Sequence, residues 1–208
     1  MLYLLNLHPS IREDASNTLT THLIPGGFNK EFVDTWLDPL VTELRELHDG
    51  VNVYDGALSR DFMLKAHVIL VTGDGPAIAD VMGTKSPGKS KQSCRLCPFS
   101  GTQRRGGKYY YPNGENLQPQ PHTDMRGQIE GLEHHRVTSA SQRHYINVQR
   151  DIGVNCRSIL MDLPTINFPR SFPVDTMHSM NHNIPKSMFH LWKGTRYHQR
   201  GQEVTKYP

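Results

Sequence analysis

Four groups of residues in this 208-residue chain have types and spacings that can do chemistry. Asp74 follows the apolar run Val68-Ile69-Leu70-Val71-Thr72 and sits between Gly73 and Gly75, with Pro76 next. A carboxylate at the carboxyl end of a strand can be held rigidly while facing solvent, which suits a hard cation such as Mg2+. Asp-Gly-Pro is also good turn chemistry, so an ordinary turn is the competing reading. Cys94-Arg95-Leu96-Cys97 places two thiols at the spacing that grips one Zn2+. A structural zinc site needs two further ligands; His122, His134 and His135 are the nearest downstream candidates, and an unmetallated pair is the alternative. Asp175 and His178 are three residues apart, which on a helix puts them on one face, where they can orient each other or bind one partner. Asp175 acting as an N-cap behind Pro173 is the simpler alternative. Finally, Lys85, Lys89, Lys91, Arg95, Arg104, Arg105 and Lys108 precede Tyr109-Tyr110-Tyr111, and cations beside stackable rings suit a nucleic-acid backbone. A solvated basic loop would look the same in sequence.

The elements that must position these groups follow from apolar spacing. Residues 1–8 read as a buried strand ended by Pro9. Ile24-Pro25-Gly26-Gly27 is a turn signal. Over residues 32–47, Phe32, Val33, Trp36, Leu37, Leu40, Val41, Leu44 and Leu47 recur at the spacing of an amphipathic helix, with a kink or break expected at Pro39 and a C-cap at Gly50. Val51-Asn52-Val53-Tyr54 alternates as a short strand. Residues 67–72 have the length and β-branched content of a buried strand, and residues 77–82 open a helix. Residues 83–128 are rich in Gly, Pro, Lys, Arg and Gln and read as a long excursion from the core. Residues 128–150 read as polar helix. Pro164, Pro169 and Pro173 make residues 159–172 irregular, and residues 174–192 turn helical again. These segments divide the chain into 1–82, 83–128 and 129–208.

Composition narrows the class less than the motifs do. The formal net charge of +3 is compatible with nucleic acid without requiring it. Three cysteines, with only one close pair, argue against a secreted disulfide framework and for a reducing compartment. The apolar start Met1-Leu2-Tyr3-Leu4-Leu5 is broken by Asn6, His8 and Pro9, too short for a signal peptide or a membrane span.

In this order the pieces resemble the transposases of CACTA-type elements, especially the fungal branch. Four stretches carry the likeness. They are Leu4-Leu5-Asn6-Leu7-His8-Pro9 with Ile24-Pro25-Gly26; residues 32–55; residues 70–82 with Cys94 and Cys97; and Phe168-Pro169-Arg170-Ser171-Phe172-Pro173-Val174-Asp175-Thr176-Met177-His178 with Leu191-Trp192-Lys193-Gly194. The resemblance implies an α/β fold with a partial RNase H-like core, carrying a loop-rich, zinc-binding insertion. It implies metal-dependent DNA strand cleavage and transfer, in which two Mg2+ ions activate the attacking oxygen and stabilise the leaving one. Asp74 matches the second acid of the family's set, Asp175 and His178 its Asp-x-x-His, and Cys94 and Cys97 its Cys-x-x-Cys. Neither the first nor the last acid has a match, and Glu203 lacks the expected context. The expectation is a fragment, truncated at both ends and inactive alone, whose partner is DNA at transposon ends. Its place is the nucleus or cytosol, not a membrane or the exterior, and an oligomer is left open. A domesticated nucleic-acid-binding or zinc-binding remnant without catalysis is the alternative.

Overall fold

The computed structural model describes residues 1–23, 33–86, 88–92, 94–97, 99–103, 109–111, 122–138 and 141–193. The turn expected at Ile24-Pro25-Gly26-Gly27, the cations Arg104, Arg105 and Lys108, and Glu203 lie outside the described residues, as does the side chain of His122. Helices and small antiparallel sheets are mixed, within the broad α/β expectation. β1 (Leu2–Tyr3) pairs with β2 (Thr18–Leu19) around the short helix α1 (Pro9–Arg12). The buried strand expected over residues 1–8 is therefore only two residues long, and Tyr3, Leu4 and Leu5 are exposed.

Helix α2 (Val33–Asp49) is continuous through Pro39. Proline removes one ladder hydrogen bond and costs about 3 kcal/mol in a helix interior. The break expected there does not occur, because the turns on both sides are anchored: Val33, Val41 and Leu44 are buried and Leu37 and Leu40 pack against the same core. Gly50 ends the helix as expected, at φ 112°, with its N–H donating to the Glu46 carbonyl at 2.9 Å. The chain then turns directly into the hairpin of β3 (Val51–Asp55) and β4 (Arg60–Leu64), in the register Val51 with Leu64 to Asp55 with Arg60. Asp55 closes its turn by accepting from the N–H groups of Ala57 at 2.8 Å and Leu58 at 3.1 Å.

The buried strand expected over residues 67–72 is corrected: these residues join no sheet among the described residues. The segment instead lies along residues 165–171, with Val71 N–H donating to Ser171 O at 2.8 Å and the Thr165 hydroxyl to Val68 O at 2.6 Å. A β-branched run takes up a strand only when another strand satisfies its ladder, and without one Ile69 and Leu70 stay exposed.

Next come α3 (Gly75–Val81), the two-residue strands β5 (Thr102–Gln103) and β6 (Tyr109–Tyr110), α4 (His122–Thr138) and α5 (Gln142–Ile152). The polar helix expected over residues 128–150 is thus two helices, and the division drawn at residue 128 falls inside α4. A 3-10 turn (Ile159–Asp162), a π-helical segment (Met177–Asn183) and α6 (Ile184–Trp192) complete the order.

One apolar cluster holds these pieces together. It joins Val41 and Leu44 of α2, Ile78 and Met82 around α3, Met125, Ile129 and Leu132 along one face of α4, and Leu160, Leu163, Ile166, Phe168 and Phe172 of the proline-rich stretch. Phe168 and Phe172 are fully buried with ring centroids 4.8 Å apart. The prolines forbid a long helix or strand there, as expected, yet this irregular stretch supplies much of the core. Ser158 is buried because its hydroxyl donates to Val81 O at 2.7 Å and accepts from Leu160 N–H. No helix among the described residues is long and apolar enough to cross a membrane.

Phe172→Ala removes a fully buried ring and is expected to lower the unfolding free energy by about 3–5 kcal/mol. Ile69→Ser, at an exposed position, should stay within about 0.5 kcal/mol. Urea denaturation of both variants checks the assignment, and equal losses would contradict it.

Candidate functional site

Asp74 caps α3: its Oδ1 accepts from the Ala77 N–H at 2.7 Å, while Pro76 sits in the first turn, where its missing N–H costs nothing. Ile78 and Met82 pull the helix into the core, so Asp74 stays at the surface on a fixed base. Asp74 thus fits the turn reading, and it does not stand at the end of a strand, since residues 67–72 join no sheet among the described residues. One oxygen serves the helix end, and the second remains available to a cation.

The Cys-x-x-Cys segment is held from beneath by two close backbone approaches. Gly83, at φ 68°, accepts from the N–H groups of Asn155 at 2.7 Å and Cys156 at 3.1 Å. A Cβ at Gly83 would lie 2.4 Å from Cys156 O, and one at Gly153 would lie 1.8 Å from Gln92 O. Lys85 N–H donates to Gly153 O at 2.8 Å and Lys91 N–H to Arg150 O at 2.8 Å. Gly83, Lys85 and Lys91 are thus tied to the end of α5 and the residues after it, just ahead of the cysteines in sequence. Cys97 S–H donates to the Cys94 sulfur across 3.1 Å. Burial, and then Cys94, push the Cys97 thiol up to about 11.

Arg95, between the cysteines, donates from Nη2 to Pro173 O at 3.1 Å and joins this knuckle to the start of the Asp175 motif. Asp175 there does both things the sequence allowed. Its Oδ1 accepts from the His178 N–H at 3.1 Å, and its Oδ2 pairs with His178 Nδ1. The hydrogen bond from the His178 ring, then that from its N–H, hold the Asp175 carboxyl below its ordinary value of 3.8. With Nδ1–H committed to Asp175, the ring's Nε2 is the atom left to accept a proton or contact an anion.

One cavity of about 320 Å3 is lined by Gly75, Lys85, Cys94, Arg95, Tyr111 and Asp175 among others, while Asp74, Cys97 and His178 are not among its walls. Burial, followed by the charge of Arg150, lowers the Lys85 pKa, with Lys89 adding to the effect. Lys85, Lys89 and Arg150 therefore form a positive patch beside the cavity; Lys89 and Lys91 are exposed. His134 and His135 are not brought to it. They lie near the end of α4, where His135 meets His144 edge-on at 5.9 Å. Among the described residues, no group of three or more His, Cys, Asp or Glu side chains of metal-holding geometry forms.

The sequence marks Arg95 only as one more cation and does not mark Lys85, Tyr111 and Ser179 as cavity walls. Nothing in their local spacing singles them out: Lys85, Arg95 and Tyr111 are placed by contacts with Gly153, Pro173 and Ser90, and Ser179 stands one turn beyond Asp175.

Residues 1–141 match the model described as Transposase family tnp2, and the chain belongs to that family. The match takes in Asp74, Cys94, Cys97 and the basic segment, and it ends before Asp175 and His178. No curated protein and no solved structure matches the chain.

Because a depressed folded pKa contributes stability above the ordinary value and loses it as pH falls through the depressed one, the Asp175–His178 pair should weaken only in acid, below 3.8. NMR titration of the Asp175 carboxyl should give a midpoint below 3.8; a midpoint at or above it would show that the pair does not form. Metal-free protein should alkylate slowly at Cys97 at pH 8 and faster as pH approaches 11. Rapid labelling of Cys97 at pH 8, followed by mass spectrometry, would contradict its environment.

Proposed function

We propose that the chain is part of the catalytic region of a CACTA-type transposase of the fungal branch, acting on DNA at transposon ends. The observation that carries this reading is that the start of α3 behind Asp74, Cys94 of the knuckle and Asp175 wall one cavity together with Lys85 and Arg95. Motif order in the sequence supports a partial RNase H-like core, with the Cys-x-x-Cys excursion leaving it after α3; residues 67–72, which would be its Asp74-bearing strand, join no sheet among the described residues. Its place of action is the nucleus, where its substrate lies.

The residues fit the two metals unequally. Asp74 offers Mg2+ one uncommitted carboxylate oxygen; bound there, the ion would polarise a phosphate and stabilise a leaving oxygen. Asp175 spends both oxygens on His178, so its role is to orient His178, whose Nε2 would contact the phosphodiester or a proton. Tetrahedral Zn2+ with bonds of about 2.3 Å holds two sulfurs about 3.8 Å apart, and the Cys94–Cys97 pair reaches that by small side-chain rotations. Zinc would supply structural rigidity and draw the thiols to thiolate, offsetting the burial that holds Cys97 up.

One matched acid does not fill the carboxylate set that a two-metal reaction requires, so the chain alone should bind DNA without cutting it. The helix-capping role of Asp74 favours a second reading, a nucleic-acid-binding and zinc-binding remnant without catalysis. Mn2+ separates them. It should broaden the Ala77 amide resonance in the wild type and not in Asp74→Asn, whereas no broadening in either would remove Asp74 from any metal site. DNA affinity should fall steeply with salt, and Lys89→Gln with Lys91→Gln should lower the log–log slope by roughly one for each phosphate no longer neutralised. Absence of binding at low salt would overturn both readings.

A further inference from the structure

Outside the walls of that cavity, two histidines meet across separate elements. His48 stands in the last turn of α2, and His67 lies three residues beyond β4. Their Nδ1 atoms are 2.9 Å apart, and the rings meet edge-on with centroids 4.8 Å apart and planes at 73°. They are nineteen residues apart, so no local motif announces them.

We propose that His48 and His67 form a two-imidazole clip for a divalent late transition-metal ion, Cu2+ or Ni2+, where α2 meets the end of the β3–β4 hairpin. Imidazole is a good ligand for these ions, and bond lengths near 2.0–2.1 Å fix what two nitrogens can share. Two cis ligands at right angles then stand about 2.9 Å apart, whereas two tetrahedral ligands stand about 3.4 Å apart. The observed separation, set by the ring-to-ring hydrogen bond, already lies near the right-angled spacing, and the affinity order of imidazole for divalent ions places Cu2+ and Ni2+ foremost. One ring now donates its Nδ1–H to the other; for an ion to bind, that proton moves through water to the same ring's Nε2, and each ring turns about χ2 to bring its Nδ1 lone pair onto a common point.

The backbone is already arranged for this. Ala66 N–H donates to Leu47 O at 3.0 Å and Gly50 N–H to Glu46 O at 2.9 Å, while the hairpin register holds Val51 opposite Leu64. Both ligands are thus brought together without the ion, which lowers the ordering cost of binding. His67 is exposed and His48 half-buried, so water completes the coordination shell. With no third protein ligand gathered there among the described residues, micromolar rather than structural-grade binding is expected.

Isothermal titration of the full-length chain with Ni2+ tests the clip directly. One binding event should persist in the Cys94→Ser/Cys97→Ser variant and weaken roughly tenfold or more in His67→Gln and in His48→Gln. Survival of that event in the double histidine variant, or its loss in the cysteine variant, would overturn the proposal. A second measurement needs no substitution: pulsed electron paramagnetic resonance of the wild-type chain with one equivalent of Cu2+ should show two coupled imidazoles, and a single-imidazole pattern would also overturn it.

Discussion

Two backbone contacts, at Gly83 and Gly153, set the geometry on which the rest of the candidate site depends. At each, another strand of backbone passes where any side chain would have to stand. Both residues have positive φ, a conformation glycine adopts without strain. The two contacts let residues 83–92 lie against residues 150–156, reinforced by the isolated bridge of Thr84 with Val154 and by Asn155 Nδ2 donating to Thr84 O at 3.0 Å. Without that docking the cysteine knuckle would have no fixed base, and Arg95 could not span from it to Pro173.

The charge arrangement follows from the same docking. Lys85 and Arg95 are both drawn partly out of water, and burial lowers the pKa of each. Arg95 is pinned to a carbonyl, and its buried Nε has no hydrogen-bond partner among the described residues. The negative charge of Asp175 is committed to His178. The cavity therefore has cations whose charge is incompletely compensated, a field that favours an anionic chain over a neutral ligand.

Apolar surface is unevenly spent. Around α3, α4 and the proline-rich stretch most of the described large apolar side chains are buried, Val137 excepted, whereas Met177, Met180, Ile184, Met188, Phe189 and Trp192 are exposed. The helical spacing of those last residues is visible in the sequence, but amphipathic spacing predicts a helix and one sticky face; it does not say whether the described structure covers that face.

By itself the sequence determined the local structure wherever the deciding forces are local. The spacing of Val33, Leu37, Val41 and Leu44, the glycine stop at Gly50, the turn at Asp74 and the three-residue step from Asp175 to His178 were all legible, because each involves neighbours within one or two turns. The family resemblance was legible too, since ordered motifs survive in sequence, and the matched range of residues 1–141 bears out a transposase family. Only the tertiary structure decided the rest. It left residues 67–72 without a partner strand, carried α2 through Pro39, and brought Arg95 to Pro173 and His48 to His67. Those outcomes turn on contacts between residues that share no local period, and their free energies depend on which surfaces meet rather than on which residues are adjacent.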